Sequence, residues 1–225
     1  MKLLSVFLLF IGIHSVSGQL KTITDKTTYP FWIHVPEKES IEKQPILIFL
    51  HGKSLSGTDL NRVRRYGVLR AMDRGRKIPA IVVAPQLAKG SWNPDKVLEV
   101  LEYVQKNYNT DSKRIYVCGM SLGGYGTLHF AGKHVDKITA AVAICGGGNV
   151  SDGCKLATIP LWIQHGDKDY IVPISESEKV VNAIRKCNAK ANLLFTVIKG
   201  GNHGSVENIF HKDAMYNWLF EQKKD

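Results

Sequence analysis

What this chain has little of narrows its function first. It has four cysteines, at spacings that match no zinc pattern, so no structural metal cluster is expected. Acidic residues are scarce beside basic ones, 20 against 30, which leaves a formal charge of +10. No nucleic-acid motif accompanies that excess, and no aromatic residues interleave with it in a stacking pattern, so no nucleic-acid partner is expected. After the N-terminal stretch, no run is long and apolar enough to cross a bilayer. Sequence repeats, low-complexity tracts and dividing linkers are also lacking, which disfavours solenoids and multidomain arrangements.

What is present begins with an address. Lys2 precedes the apolar run Leu3 to Ile13, and the small residues Ser15, Ser17 and Gly18 follow. A positive start, a short apolar core and a small-residue exit predict a secretory signal peptide over 1–18, with export to the periplasm or beyond. The apolar run is too short for a stable membrane anchor. The remainder, 19–225, reads as one domain; the chain is 44% hydrophobic, enough for a sizeable core.

Export changes the reading of the cysteines. Cys118 and Cys145 lie in or beside apolar runs and read as small buried core residues. Cys154 and Cys187 sit in polar surroundings near element ends and are the expected disulfide pair, the alternative being two free thiols. The positive charge is concentrated at Arg62, Arg64, Arg65, Arg70, Arg74, Arg76 and Lys77, opposed only by Asp73. It reads either as a solvated helix face or as a contact for an anionic partner.

Short apolar runs predict strands at Phe31 to Val35, Ile46 to Leu50, Ile81 to Ala84, Ile115 to Cys118, Ala140 to Ile144, Leu161 to Gln164 and Leu193 to Ile198. The middle ones are almost continuously apolar, as parallel strands covered on both faces are. Helical spacing appears over Pro94 to Asn107, Ser175 to Cys187 and Lys212 to Gln222. The alternation predicts an α/β fold with a mostly parallel sheet, helices on both faces and an antiparallel hairpin at its N-terminal edge.

One motif carries chemistry. The apolar run ending at Cys118 leads into Gly119-Met120-Ser121-Leu122-Gly123, a strand entering G-x-S-x-G. A serine on a sharp strand-to-helix turn needs small residues two positions either side, and its Oγ then stands clear of the sheet. The Leu122 N–H points into the same space and can stabilise an oxyanion. A serine nucleophile needs a base, and the base needs a carboxylate. The α/β-hydrolase order is serine, acid, histidine, each after a strand.

The loop His165 to Pro173 offers Asp167 and Asp169; Asp169 is chosen because H-G-x-x-D-x-x-V-P resembles the acid loop of many esterases, leaving Asp167 as a turn residue. The Gly-rich loop around Asn202-His203-Gly204 offers His203 as base. The strand ending Leu50-His51-Gly52 offers the Lys53 N–H as second oxyanion donor. His165 reads as support for the acid loop. Trp92 reads either as a rim contact for a polymer or as a packing residue.

From Pro45 to Glu221 the chain resembles secreted α/β-hydrolases of the esterase, dienelactone-hydrolase-like and "predicted peptidase" group, related to the phospholipase/carboxylesterase family. The matching pieces are Leu50-His51-Gly52, Val83-Ala84-Pro85-Gln86 with Trp92, the run Arg114 to Gly124, Cys145-Gly146-Gly147-Gly148, Ile159-Pro160-Leu161-Trp162 and the two triad loops. The resemblance implies a cofactor-free serine esterase acting through an acyl-enzyme on a small ester or an acylated glycan. A peptidase or thioesterase of the same fold, or a catalytically silent binding module, are the alternatives. The chain departs from the family's pattern at Lys53 to Gly57 and at Gly204-Ser205-Val206, both bordering the acyl pocket.

Overall fold

The computed structural model describes residues 18–36 and 43–224. Most of the expected signal segment, residues 1–17, lies outside the described residues. Among the described residues eight strands form one sheet: β1 (Gln19–Ile23), β2 (Phe31–Val35), β3 (Gln44–Leu50), β4 (Ile81–Pro85), β5 (Thr110–Met120), β6 (Ala140–Ile144), β7 (Leu161–Gly166) and β8 (Leu193–Ile198). Their order is β1-β2-β4-β3-β5-β6-β7-β8. The two strands at the N-terminal edge pair antiparallel, and every pairing from β4 onward is parallel.

Among the described residues six α-helices accompany the sheet: α1 (Gly67–Asp73), α2 (Pro94–Asn107), α3 (Leu122–Lys133), α4 (Gly153–Leu156), α5 (Ser175–Cys187) and α6 (Asp213–Glu221). The α2 start follows from its sequence: Pro94 fills the first turn, and the Asn93 side chain accepts from the Asp95 and Lys96 N–H groups.

Side-chain alternation along the strands divides the core in two. Ile46, Ile48 and Leu50 of β3 face a cluster with α2, α3 and α5, containing Val97, Leu101, Phe130 and Ile184. Leu47 and Phe49 face the opposite cluster, with Leu69 of α1 and Met215 and Leu219 of α6. Both faces of β3 to β6 are therefore covered, which explains their unbroken apolar runs. This is an α/β-hydrolase architecture.

The expected strands all form, several of them longer at one or both ends. The helix after Ser121 begins at Leu122, and Gly123 and Gly124 pack as helix residues against the sheet. A 3-10 segment, Ser205–His211, precedes α6. Trp92 is buried, and its Nε1 donates to the His51 carbonyl, so it packs and does not reach a rim. Cys154 and Cys187 form a disulfide joining α4 to α5, while Cys118 and Cys145 are buried free thiols.

Candidate active site

Register places the loops. Leu50 pairs with Gly119 across β3 and β5, so the backbone at Gly52 passes beside Ser121. Gly166 pairs with Ile198 across β7 and β8, so the loops carrying Asp169 and His203 leave the sheet side by side. Backbone bonds tie those loops together, from Asp167 N–H to Ile198 and from Lys168 N–H to Gly201.

Ser121 sits between β5 and α3 at φ 59° and ψ −123°, a backbone state non-glycine residues seldom adopt. Its N–H is anchored on the Ile144 carbonyl at 2.9 Å. The turn closes only with small flanks, since a Cβ on Gly119 would overlap the Gly123 carbonyl and one on Gly123 would overlap the Leu50 carbonyl. These contacts give the steric reason for the motif's glycines.

Three side chains form one hydrogen-bonded chain. His203 Nε2 is 2.9 Å from Ser121 Oγ, and His203 Nδ1 is 2.7 Å from Asp169 Oδ2. The Asp169 side chain is fully buried, while His203 keeps 21% exposure. Burial alone would raise the Asp169 carboxyl, but the N–H groups of Val172 and Ile171 and the bond to His203 outweigh it, and the net shift is downward. An ionised Asp169 only accepts, so Nδ1 carries the proton and Nε2 is left to accept from Ser121. The Val172 and Ile171 N–H groups, both at 2.9 Å, hold the second carboxylate oxygen and fix its orientation. Asp167 accepts instead from the Gly200 N–H at 2.7 Å and stays out of this chain. His165 bonds Ser177 and the Val172 carbonyl beneath the acid loop.

Lys53 opens the 3-10 segment Lys53–Leu55, and Leu122 opens α3. A first-turn N–H has no partner inside its own helix. Neither amide is taken by another hydrogen bond among the described residues. Their neighbour His51 is buried. Its Nε2 accepts from the Leu87 N–H at 3.0 Å, so its Nδ1 donates to the Gly52 carbonyl at 2.8 Å. Burial pushes the imidazole down to about 4, against the opposing effect of the Gly52 bond.

Several residues at the site escaped sequence reasoning. Tyr66 Oη accepts the Gly52 N–H at 2.9 Å. Glu207 accepts the Gly67 N–H at 3.1 Å, fastening the start of α1 beside the cleft. Neither residue belongs to a local pattern, and only the folded chain brings them together. Cys145, at φ 39°, lies close to Asp169 and His203.

With Asp169 and His203, Cys145 makes the one cysteine, histidine and carboxylate group among the described residues close enough to hold a metal ion, the ligand atoms lying within 4.8 Å. Burial pushes its thiol up to about 12, and thiols ligate metals as thiolates. Asp169 and His203 are bonded to each other. The donor set therefore suits hydrogen bonding better than metal binding.

The cleft over Ser121 has a volume of about 480 Å³ and is lined by Met120, Tyr66, His203, Ile171 and Lys53 among others. No helix among the described residues is long and apolar enough to cross a membrane.

Residues 72–208 match the dienelactone hydrolase family. A 91-residue stretch is 33% identical to a bifunctional acetylxylan esterase/xylanase of Neocallimastix patriciarum, covering 40% of this chain and 13% of that protein. Among solved structures, a thermostable esterase superposes with a TM-score of 0.78 at 29% identity, over 92% of this chain and 64% of its own. An S-formylglutathione hydrolase of Staphylococcus aureus superposes with a TM-score of 0.70 at 18% identity, over 90% and 96%, a likeness of fold alone. The chain thus spans less than two thirds of the first two relatives. With its sheet order and the family match over more than half its length, the chain belongs to the dienelactone hydrolase family and carries a carboxylic-ester hydrolase domain.

Proposed function

We propose that the protein is an exported serine esterase whose nucleophile, base and acid are Ser121, His203 and Asp169, and that it removes acyl groups from glycans. The observation that carries this reading is the continuous chain Asp169–His203–Ser121, with both bonds under 3 Å.

In this mechanism Ser121 Oγ passes its proton to His203 Nε2 as it bonds to the ester carbonyl carbon. The carbonyl oxygen becomes an oxyanion held by the Lys53 and Leu122 N–H groups. The intermediate collapses by breaking the bond to the alcohol oxygen, which takes the proton from His203. Water then gives a proton to His203, attacks the acyl-enzyme and releases the acid, and the proton returns to Ser121. Ester, water and these side chains balance both halves.

Export by a signal over 1–18, with the remainder as one hydrolase domain, is part of the same proposal. The Cys154–Cys187 disulfide supports an oxidising compartment. A glycan substrate is in keeping with the acetylxylan esterase named in the relative from Neocallimastix.

The test is labelling of the protein and its Ser121→Ala variant with a fluorophosphonate, together with turnover of 4-nitrophenyl acetate, butyrate and octanoate. Labelling and turnover are expected in the parent and lost, by several orders of magnitude in kcat, in the variant. A parent that neither labels nor turns over any ester would favour a silent binding module.

A further inference from the structure

The basic stretch read from the sequence divides in the fold. Arg64 and Arg76 are engaged in structure: Arg64 pairs with Asp73 and lies over Trp32, and Arg76 pairs with Asp213 and lies over Tyr216. Arg65, Arg70 and Arg74 turn instead to the cleft that holds Ser121 and His203, where Lys53 joins them. Among the described residues none of these four has a carboxylate at ion-pair distance. The cleft's one lining carboxylate, Glu207, has its Oε1 engaged by the Gly67 N–H and by His211. Arg70 and Arg74 lie one helical turn apart at the end of α1, an arrangement of like charges that disfavours the free helix. Arg74 also lines a second cleft of about 400 Å³ with Arg76, Lys77, His211 and Asp213, the last paired with Arg76. Lys53, Arg65, Arg70 and Arg74 thus give the cleft over Ser121 a positive lining, and Arg74 is shared with the second cleft.

Cations left unpaired around a nucleophile raise the local concentration of anionic substrates and repel cationic ones. We propose that the ester accepted here is borne on an acidic glycan, with its carboxylates along Arg65, Arg70 and Arg74 and the acyl group at Ser121. This inference rests on the reading of Ser121 as nucleophile and names its substrate class. A guanidinium matches a carboxylate with two parallel hydrogen bonds, and a row of them selects a repeating anion over a neutral chain of similar shape.

The experiment compares acetate release from O-acetylated polygalacturonate and from an O-acetylated neutral glucomannan, at salt between about 20 and about 500 mM, where screening of exposed charges becomes strong. At low salt kcat/KM is expected to favour the acidic polymer at least about tenfold, and the preference should shrink toward unity as salt rises. The variant carrying Arg70→Gln and Arg74→Gln should lose about tenfold more on the acidic polymer than on the neutral one.

Equal kcat/KM on the two polymers at low salt would overturn the inference, as would a preference that survives both salt and substitution. A preference seen only with mono-4-nitrophenyl succinate over 4-nitrophenyl butyrate would overturn the glycan assignment. Should the double variant fail to fold, the salt profile of the parent decides alone. Fluorophosphonate labelling separates the two levels. Labelling without acidic preference sinks this inference and leaves the esterase standing. If labelling fails, retention of the Ser121→Ala protein on polygalacturonate against glucomannan tests the cleft's positive lining by itself, and equal retention sinks it.

Discussion

The His51 imidazole donates to the carbonyl of Gly52 at 2.8 Å, and that carbonyl belongs to the same planar peptide as the Lys53 N–H. Fixing one end of a rigid peptide fixes the other. In the proposed mechanism His51 therefore aims an oxyanion donor without touching substrate, and it can do so only as a neutral ring that also accepts from Leu87.

His51→Phe keeps the bulk against Trp92, 4.9 Å away centroid to centroid, and removes both bonds. Two buried backbone groups lose their partners, at about 1–3 kcal/mol each. With the donor unfixed, kcat should fall on the order of 10²-fold while KM moves much less. Steady-state kinetics and urea unfolding of the same samples check both halves.

His51 also sets a pH dependence. In the unfolded chain its imidazole protonates below about 6.5, while in the fold burial holds it neutral until pH about 4. Across that window the unfolded state binds a proton that the native state does not, so stability falls as pH drops from about 6.5 to about 4. The loss amounts to roughly 3 kcal/mol and levels off below the folded value. Unfolding free energies at pH 7 and pH 4.5 should show the slope, and His51→Phe should flatten it.

Asp169→Asn and Asp167→Asn separate the two acid-loop carboxylates. In the Asp169→Asn variant the new amide oxygen would stay on the Ile171 and Val172 N–H groups, turning the NH₂ toward His203 Nδ1. Two donors then face each other, the imidazole takes the other tautomer, and Nε2 can no longer accept from Ser121. The expected loss in kcat is about 10³- to 10⁴-fold. Asp167→Asn keeps an oxygen for Gly200 and should stay within a few-fold of the parent. The reverse ranking would transfer the acid role to Asp167.

Gly52→Ala puts a Cβ 2.5 Å from Tyr66 Oη and 3.3 Å from Ser121 Cβ, displacing the loop that carries Lys53. Tyr66→Phe removes the obstructing oxygen and loses one bond to Gly52. The double variant should be less impaired than the two single effects together, with a coupling of about 0.5–3 kcal/mol in kcat/KM or unfolding. Strict additivity would mean that the loop yields elsewhere.

Cys154 and Cys187 are 33 residues apart, and the loop they close contains the acid strand β7 and Asp169. Opening the bond with Cys154→Ser and Cys187→Ser should cost about 2–4 kcal/mol. Urea unfolding with and without reductant checks it: reductant should destabilise the parent and leave the double variant unmoved.

The sequence and the fold agree where periodicity and spacing are strong. Buried parallel strands announce themselves as unbroken apolar runs, and α2 and α5 as amphipathic segments, because both faces or one stripe must leave water. Ser121 was legible because its strained turn imposes glycines at fixed positions. Asp169 and His203 stood out less sharply, each one polar residue in a loop after a strand, and the structure brings both to Ser121. Tyr66, Glu207 and the division of the arginines were illegible, since each depends on which way α1 lies over the sheet. The role of His51 was hidden for another reason. A histidine ending a strand looks the same whether its ring faces solvent or the next peptide.

His203 follows β8, the edge strand that comes last in the chain of all eight, and its base side meets a serine more than eighty positions earlier. The acid loop leans on the same strand, since the Asp167 N–H bonds the Ile198 carbonyl at its end. Recovery of activity during refolding is therefore expected to require β8 to be docked, which activity regain measured beside the helical signal checks. On the proposed assignment, the catalytic group is complete only when the outermost strand is in place.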